Sequence, residues 1–386
     1  MPRAKVAVVG VGHSKVYRRA EEPLGKLAVD AARAAIADAG LEVKDIDGVT
    51  TSPVHPAAGV GALDGVQMVS TWFMIDALKL NPSWSDLAGY MVTQAFDQAV
   101  NAVAAGVCKF ALVFRALHNP DGRYGRTDQS VAYGANQWVV PYGSTGPTTI
   151  AQQLRRYMQK YGGTKEQLGR FVVRNREYGL KNPNSYWYQH RREHLTLDEY
   201  LNARPISEPV GMLDCDIPIQ GAGAFVITSA ERARSLVKRP AYILGSAISP
   251  EFFSPVAYPD TVESQIEVGR RMGVHLYSNS GITVGDVDVA NLYDGYTPNV
   301  PFWADAMGFC AEGEGLAWVA DPDIPLNTSG GNQGCGRMHG VPHLMDGAMQ
   351  VMGRSGERQV EGANISLVCV GGTHHAGGFV FSSEAG

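Results

Sequence analysis

The residues best equipped for chemistry gather in one stretch, Leu326 to His343 (L-N-T-S-G-G-N-Q-G-C-G-R-M-H-G-V-P-H), where Asn327, Arg337 and His339 stand among five glycines. Glycine lacks a Cβ, so such a loop can turn sharply and bring its backbone close to a bound molecule. Asn327, Ser329, Gly330, Gly331 and Gly336 are therefore the candidate substrate-binding residues. Leu344, Met345, Ala348, Met349 and Met352 follow at helical spacing, which predicts a helix from about Pro342 to Met352 whose N-terminal amides can face an anion or an enolate oxygen. A purely structural glycine turn is the alternative reading of the same loop.

Two further stretches carry groups that move protons. In L-Y-D-G-Y-T, Tyr293 and Tyr296 are phenols three residues apart, with Asp294 between them to act or to orient a neighbour. Near the C-terminus, Cys369 precedes His374 and His375, and Cys369 and His374 join the catalytic candidates. Their spacing fits no common zinc pattern, so no metal is expected. Arg337 stays protonated at neutral pH and suits an oxyanion or carboxylate rather than the role of base. His339 can serve as acid or base.

These groups belong to a chain of 386 residues with 45% hydrophobic content, long enough for a large core or two. A net charge of -5 supplies no basic face for nucleic acid. Arg170, Arg174, Arg176, Arg191 and Arg192 form a local basic region that could meet an anionic ligand. Five widely spaced cysteines without a C-x-x-C pair argue against a disulfide framework, and no stretch is apolar for long enough to span a membrane. The N-terminal apolar run is too short for a signal peptide, so the expected location is the cytoplasm.

The elements that must position the site alternate between helix and strand. Lys5 to Gly10 reads as a buried strand followed by a tight turn at G-V-G, which lacks the third glycine of a dinucleotide fingerprint. Pro23 to Gly40 and Gly89 to Gly106 read as helices, K-F-A-L-V-F as a strand, and Ile217 to Ser229 and Arg239 to Ile248 as two more strands. A helix from about Val262 to Met272 follows. Between His118 and Pro205 the pattern weakens into aromatic, glycine-rich segments around helices near Thr148 to Lys160 and Lys165 to Tyr178, the mark of an inserted cap over an apolar pocket. A-G-L-E-V-K-D-I-D-G-V at Ala39 to Val49 returns as S-G-I-T-V-G-D-V-D-V-A at Ser280 to Ala290, which implies a duplicated α/β unit. The expected organisation is a first half over 1–119 and 206–250, a cap over 120–205 and a second half over 251–386.

Together these motifs resemble the thiolase superfamily, and more closely its sterol-carrier-protein or lipid-transfer branch. The glycine loop is similar to the thiolase N-x-x-G-G-x-x-x-x-G-H-P-x-G loop, L-Y-D-G-Y-T takes the place of the N-E-A-F box, and C-V-G-G-T resembles C-x-G-G-G. G-F-C-A-E-G-E-G at Gly308 to Gly315 is similar to a segment of the lipid-transfer branch. The resemblance implies a layered αβαβα fold of two similar halves. It also implies a homodimer and a partner with an acyl-CoA-binding OB-like fold. The family's nucleophilic cysteine falls on Gly89 or Tyr90, its loop histidine on Arg337 and its box asparagine on Tyr293, so covalent acyl transfer loses its carrier. What remains suits retro-aldol cleavage of a bulky β-hydroxyacyl-CoA, as in bacterial steroid side-chain aldolases. Tyr293 and His339 would then move protons, Arg337 would hold negative charge, and CoA would enter only as part of the substrate with no bound cofactor. An acyltransferase with another nucleophile and a catalytically inactive acyl-CoA-binding subunit are the competing readings.

Overall fold

The computed structural model describes residues 4–53, 62–89, 91–118, 146–249, 261–372 and 376–386. In the first half, β1 (Val6–His13) leads to α1 (Leu24–Asp38), β2 (Gly48–Thr51), α2 (Thr71–Leu78), β3 (Trp84–Leu87), α3 (Val92–Ala104) and β4 (Phe110–Leu117). The intervening segment carries α4 (Gly146–Tyr161), α5 (Lys165–Leu180), α6 (Leu197–Leu201) and a small hairpin of β5 (Pro205–Ser207) and β6 (Val210–Gly211). The main sheet resumes at β7 (Gly221–Ser229), followed by α7 (Ala230–Leu236) and β8 (Ala241–Ile248). After that come α8 (Val262–Ser280), β9 (Val289–Leu292), α9 (Asn299–Met307), α10 (Gly315–Ala320), α11 (Gly331–Cys335), α12 (Val341–Met352), β10 (Ile365–Val370) and β11 (Gly377–Ser382).

The strand order β3-β2-β4-β7-β1-β8-β11-β10-β9 contains the duplication. In the first half β2-β4-β7-β1 repeats as β9-β10-β11-β8, and the halves join where Val6 to Val8 pair with Ile243 to Ala241. The repeated sequence makes the same structure twice. Gly40 (φ 70°) and Gly281 (φ 65°) end α1 and α8 in the left-handed conformation that glycine adopts without penalty. Each is followed by a 3-10 turn with a carboxylate cap, Asp45 taking the Glu42 amide and Asp286 the Thr283 amide, both at 2.8 Å. The second aspartates also correspond: Asp47 accepts from the Lys109 and Phe110 amides at the start of β4, and Asp288 from the Asn364 and Ile365 amides at the start of β10.

Packing assembles five layers. On the first half's outer face α1 covers β1, β4 and β7, and on the second half's α8 covers β8 and β11. Between them, α3 and α12 touch strands of both halves. Phe96 of α3 shows this directly, its ring meeting Phe225 of β7 at 5.3 Å and Phe379 of β11 at 5.0 Å, both edge to face. Burying such a side chain stabilises by roughly 1.5–3 kcal/mol, here shared between the two halves.

Two expectations are corrected. The G-V-G of β1 is no turn, because the strand continues to His13. A Cβ on Gly10 would stand 2.2 Å from the Ala35 carbonyl oxygen, so this glycine lets the alanine-rich face of α1 lie directly on the strand. The helix at Val262 also runs on to Ser280, eight residues past the expected end. Among the described residues no helix is long and apolar enough to cross a membrane.

Candidate active site

The glycine loop is buried except at Arg337, which is partly exposed. Asn327 (φ 50°) turns back onto the end of β9, where its Oδ1 accepts from the Leu292 amide at 2.7 Å and its Nδ2 donates to the Leu292 carbonyl at 2.8 Å. Its amide therefore extends the strand ladder, which corrects its assignment to substrate. Gly330 (φ 90°) lies against Gly179 of α5, 2.8 Å from where its Cβ would be, so the cap helix sits backbone to backbone on the loop. Gly336 (φ 110°) abuts Ile219, and Ser329 Oγ accepts from the Gly331 amide at 3.0 Å. Cap and loop are fastened further by Asn182, which donates to the Ser329 carbonyl at 3.0 Å, and by Trp187, which donates to the Gln333 carbonyl at 3.2 Å.

Asp294 fills the space left by Gly331. A Cβ on Gly331 (φ 58°) would stand 2.2 Å from Asp294 Oδ2. The fully buried carboxylate accepts from the Asn332 amide at 2.7 Å, the Gln333 amide at 3.3 Å and Asn175 Nδ2 at 2.8 Å. His343 Nε2 stands 3.0 Å from its Oδ1. Asp294 thus organises the short helix α11 that the sequence showed only as loop, and orients neighbours rather than meeting a ligand.

Tyr293 follows the last residue of β9, its amide donating to the Cys369 carbonyl at 2.9 Å, and its ring rests against that of His343 at 5.7 Å. His339 (φ 48°) ends the loop just before α12. Its Nδ1 lies 3.0 Å from Nη2 of Arg115, a buried residue of β4 whose Nη1 also donates to the Ser52 carbonyl and hydroxyl. A guanidinium only donates, so Nδ1 is the acceptor and the neutral ring carries its proton on Nε2. Arg115 can reach this position because its strand neighbour Gly223 leaves room for Val341 at the start of α12, 2.3 Å from a Cβ built there. The parallel strands of both halves thus deliver residues from their C-terminal ends to one place.

Arg337 Nε is paired with Asp216 Oδ1 at 3.3 Å. Burial, only partly offset by Arg337, pushes the Asp216 carboxyl up to about 7. Tyr296 is half-buried against the start of α4, its hydroxyl oxygen 2.3 Å from where a Cβ on Gly146 would be. Cys369 is not brought to this place. It pairs with Gly378 across β10 and β11, and a Cβ on Gly378 would meet Leu276 and Met272 of α8, so the thiol faces the outer layer. Val370, one residue on, meets Gly340 on the site's side. His374 and Tyr90 lie outside the described residues.

Burial pushes every thiol up, those of Cys108, Cys215 and Cys335 to about 12, so none is poised as a nucleophile. Among the described residues no group of histidines, cysteines and carboxylates could hold a metal. The expected basic region is dispersed. Arg174 donates to the carbonyls of Val319 and Ala320 at the end of α10, Arg176 lies 3.3 Å over the Trp187 ring, and Arg170 pairs with Glu166. Sequence reasoning missed Arg115, Asp216, His343, Asn175 and Asn332. The arginine inside the apolar run F-A-L-V-F-R-A-L was the legible signal, since a charge buried in a strand needs a partner.

Residues 261–383 match the thiolase C-terminal domain-like family. The chain is 32% identical to a steroid side-chain-cleaving aldolase of Thermomonospora curvata, with 98% of each chain covered. It is also 32% identical to a 17-hydroxy-3-oxo-4-pregnene-20-carboxyl-CoA lyase of Mycobacterium tuberculosis, covering 96% of this chain and 97% of that one. A solved structure described as Ltp2-ChsH2(DUF35) aldolase superposes with a TM-score of 0.86 at 30% identity, with 98% of each chain covered. The expectation from the motifs holds: this chain belongs to the thiolase superfamily, in the sterol-carrier-protein or lipid-transfer branch to which the steroid side-chain aldolases belong.

Proposed function

We propose that the chain is a carbon-carbon lyase that cleaves a bulky β-hydroxyacyl-CoA, of steroid side-chain type, to a ketone and a shorter acyl-CoA. The observation that carries this reading is a thiolase-fold site with proton-moving groups and no activated thiol. Every cysteine is pushed towards its neutral form by burial, and Gly89, Tyr90 and Met91, which lead into α3 at Val92, include no cysteine. Relatives aligned over nearly the whole chain carry aldolase and lyase names. An acyltransferase would need a thiolate that these surroundings disfavour.

In this cleavage Tyr293, as its phenolate, takes the proton of the β-hydroxyl and becomes the neutral phenol. The O–H electron pair becomes the ketone C=O, the Cα–Cβ bond breaks, and its electrons pass to the thioester as an enolate. His339 donates from Nε2 and Arg337 adds fixed charge, both acting on the enolate oxygen. The proton held by Tyr293 is the one that Cα then needs, so the cycle closes without a co-reactant. The similar aldolase structure includes a DUF35 partner by its description, which supports a complex of this chain with an OB-like acyl-CoA-binding protein. A homodimer through the first-half sheet is supported by β3, which among the described residues pairs with β2 alone, ends in exposed Leu87 and touches α2, whose Trp72 is exposed.

The test incubates the chain and its OB-like partner with 17-hydroxy-3-oxo-4-pregnene-20-carboxyl-CoA and follows release of ketone and short acyl-CoA. Tyr293→Phe and His339→Ala should fold and lose roughly a hundredfold or more in turnover. Wild-type rates in both variants, or a stable thioester adduct by intact mass, would refute the reading.

A further inference from the structure

The segment Asp214 to Ile217 ties the two site motifs together. Thr297 donates its amide to the Asp214 carbonyl at 2.9 Å, and Asp216 donates its own to the Gly295 carbonyl at 3.2 Å, so the segment is stitched to the tyrosine box. Arg337 donates its amide to the Ile217 carbonyl at 2.7 Å. Consecutive residues therefore hold Arg337 at both ends, Ile217 by the backbone and Asp216 by the guanidinium Nε at 3.3 Å. The other oxygen of Asp216 accepts from Asn332 Nδ2 at 3.3 Å, and the Asp294 carboxylate lies near enough to oppose its charge. Asp216 is almost fully buried, so this carboxyl was taken out of water to be placed here. A guanidinium is a rigid plane, and a charge contact at its Nε together with the bond from its backbone restricts the directions in which it can point.

We propose that Asp216 is a positioning residue for Arg337, fixing the direction from which that cation meets the developing enolate. The proposal rests on the lyase reading above. It predicts that Asp216 acts through Arg337 and not independently of it. Asp216→Asn keeps the volume and the bond from Asn332 but removes the ion pair.

With the chain and its partner protein turning over 17-hydroxy-3-oxo-4-pregnene-20-carboxyl-CoA, Asp216→Asn should lower kcat roughly tenfold or more and leave KM within about twofold. Arg337→Ala should lower kcat by roughly a hundredfold, and the double variant should be no slower than Arg337→Ala by more than about threefold. Arg337→Lys, which cannot offer an Nε edge, should resemble Asp216→Asn even if the latter folds poorly, and Asp216→Glu should recover part of the rate. Independent, multiplicative losses in the double variant of an active enzyme overturn the proposal alone, as does an Arg337→Lys variant of wild-type rate. A wild-type complex that releases no ketone overturns the lyase reading, and the proposal with it.

Discussion

Replacing Gly331 by alanine separates two roles for the glycine loop, access for a ligand and room for Asp294. Gly331 sits at φ 58°, and left-handed backbone costs a residue with a Cβ roughly 1–2 kcal/mol. The new methyl would also lie 2.2 Å from Asp294 Oδ2, closer than van der Waals contact by about 1 Å or more. The carboxylate must move, and with it the bonds from Asn175 and Gln333 to Oδ2. Hydrogen bonds to a charged group contribute roughly 1.5–3 kcal/mol each, so even partial loss adds about 2 kcal/mol or more. Gly40→Ala is the internal control, since Gly40 has φ 70° with nothing within 4 Å of the added Cβ and should show the backbone cost alone. Chemical or thermal unfolding should place Gly331→Ala below Gly40→Ala by about 2 kcal/mol, with turnover lost in parallel. Equal stability of the two variants would show that Asp294 does not fill this space and would return Gly331 to the ligand.

Three further outcomes follow from the same geometry. Between its ordinary value of 3.8 and about 7, Asp216 holds a proton in the folded chain that the unfolded chain has released. Its contribution to stability should therefore fall as pH rises through that window and level off above it, by up to about 4 kcal/mol at 1.36 kcal/mol per unit. Asp216→Asn should flatten this slope in denaturant midpoints compared at pH 5 and pH 8, and an unchanged slope would refute it. Cys369→Ala should keep turnover within about twofold because the thiol faces α8, and lose about 1 kcal/mol of packing at most a few. Ser85→Pro, in the outer strand β3, should weaken self-association in sedimentation if copies meet there, whereas a wild-type chain that is monomeric at micromolar concentration removes the dimer.

Local rules made much of the fold legible. Helical spacing marked α1, α3 and α12 to within a few residues, and the repeated G-x-x-x-x-D-x-D pattern announced two halves because both aspartates do the same backbone-capping work in each. The motifs around Tyr293 and Arg337 were visible for the same reason: glycine, aromatic and charged residues at fixed short spacing leave a signature along the chain. Asp216, Arg115 and His343 left none of comparable strength, since each gains its meaning from a partner more than 45 residues away.

Sequence by itself thus determined the elements, their duplication and the loss of a cysteine at the head of α3. Tertiary structure alone decided what the loop glycines make room for and which way each side chain faces. Alternation along β10 sends Val370 towards Gly340 and Cys369 towards α8, a choice set by strand pairing and by which helix covers which face. Likewise the donors of Asp294 come from α5 and α11, with His343 of α12 beside it, and only their packing shows that this carboxylate is spent on holding the site together. Buried polar groups must find partners wherever the fold supplies them, and those partners are distant in sequence because the core is built from elements of both halves.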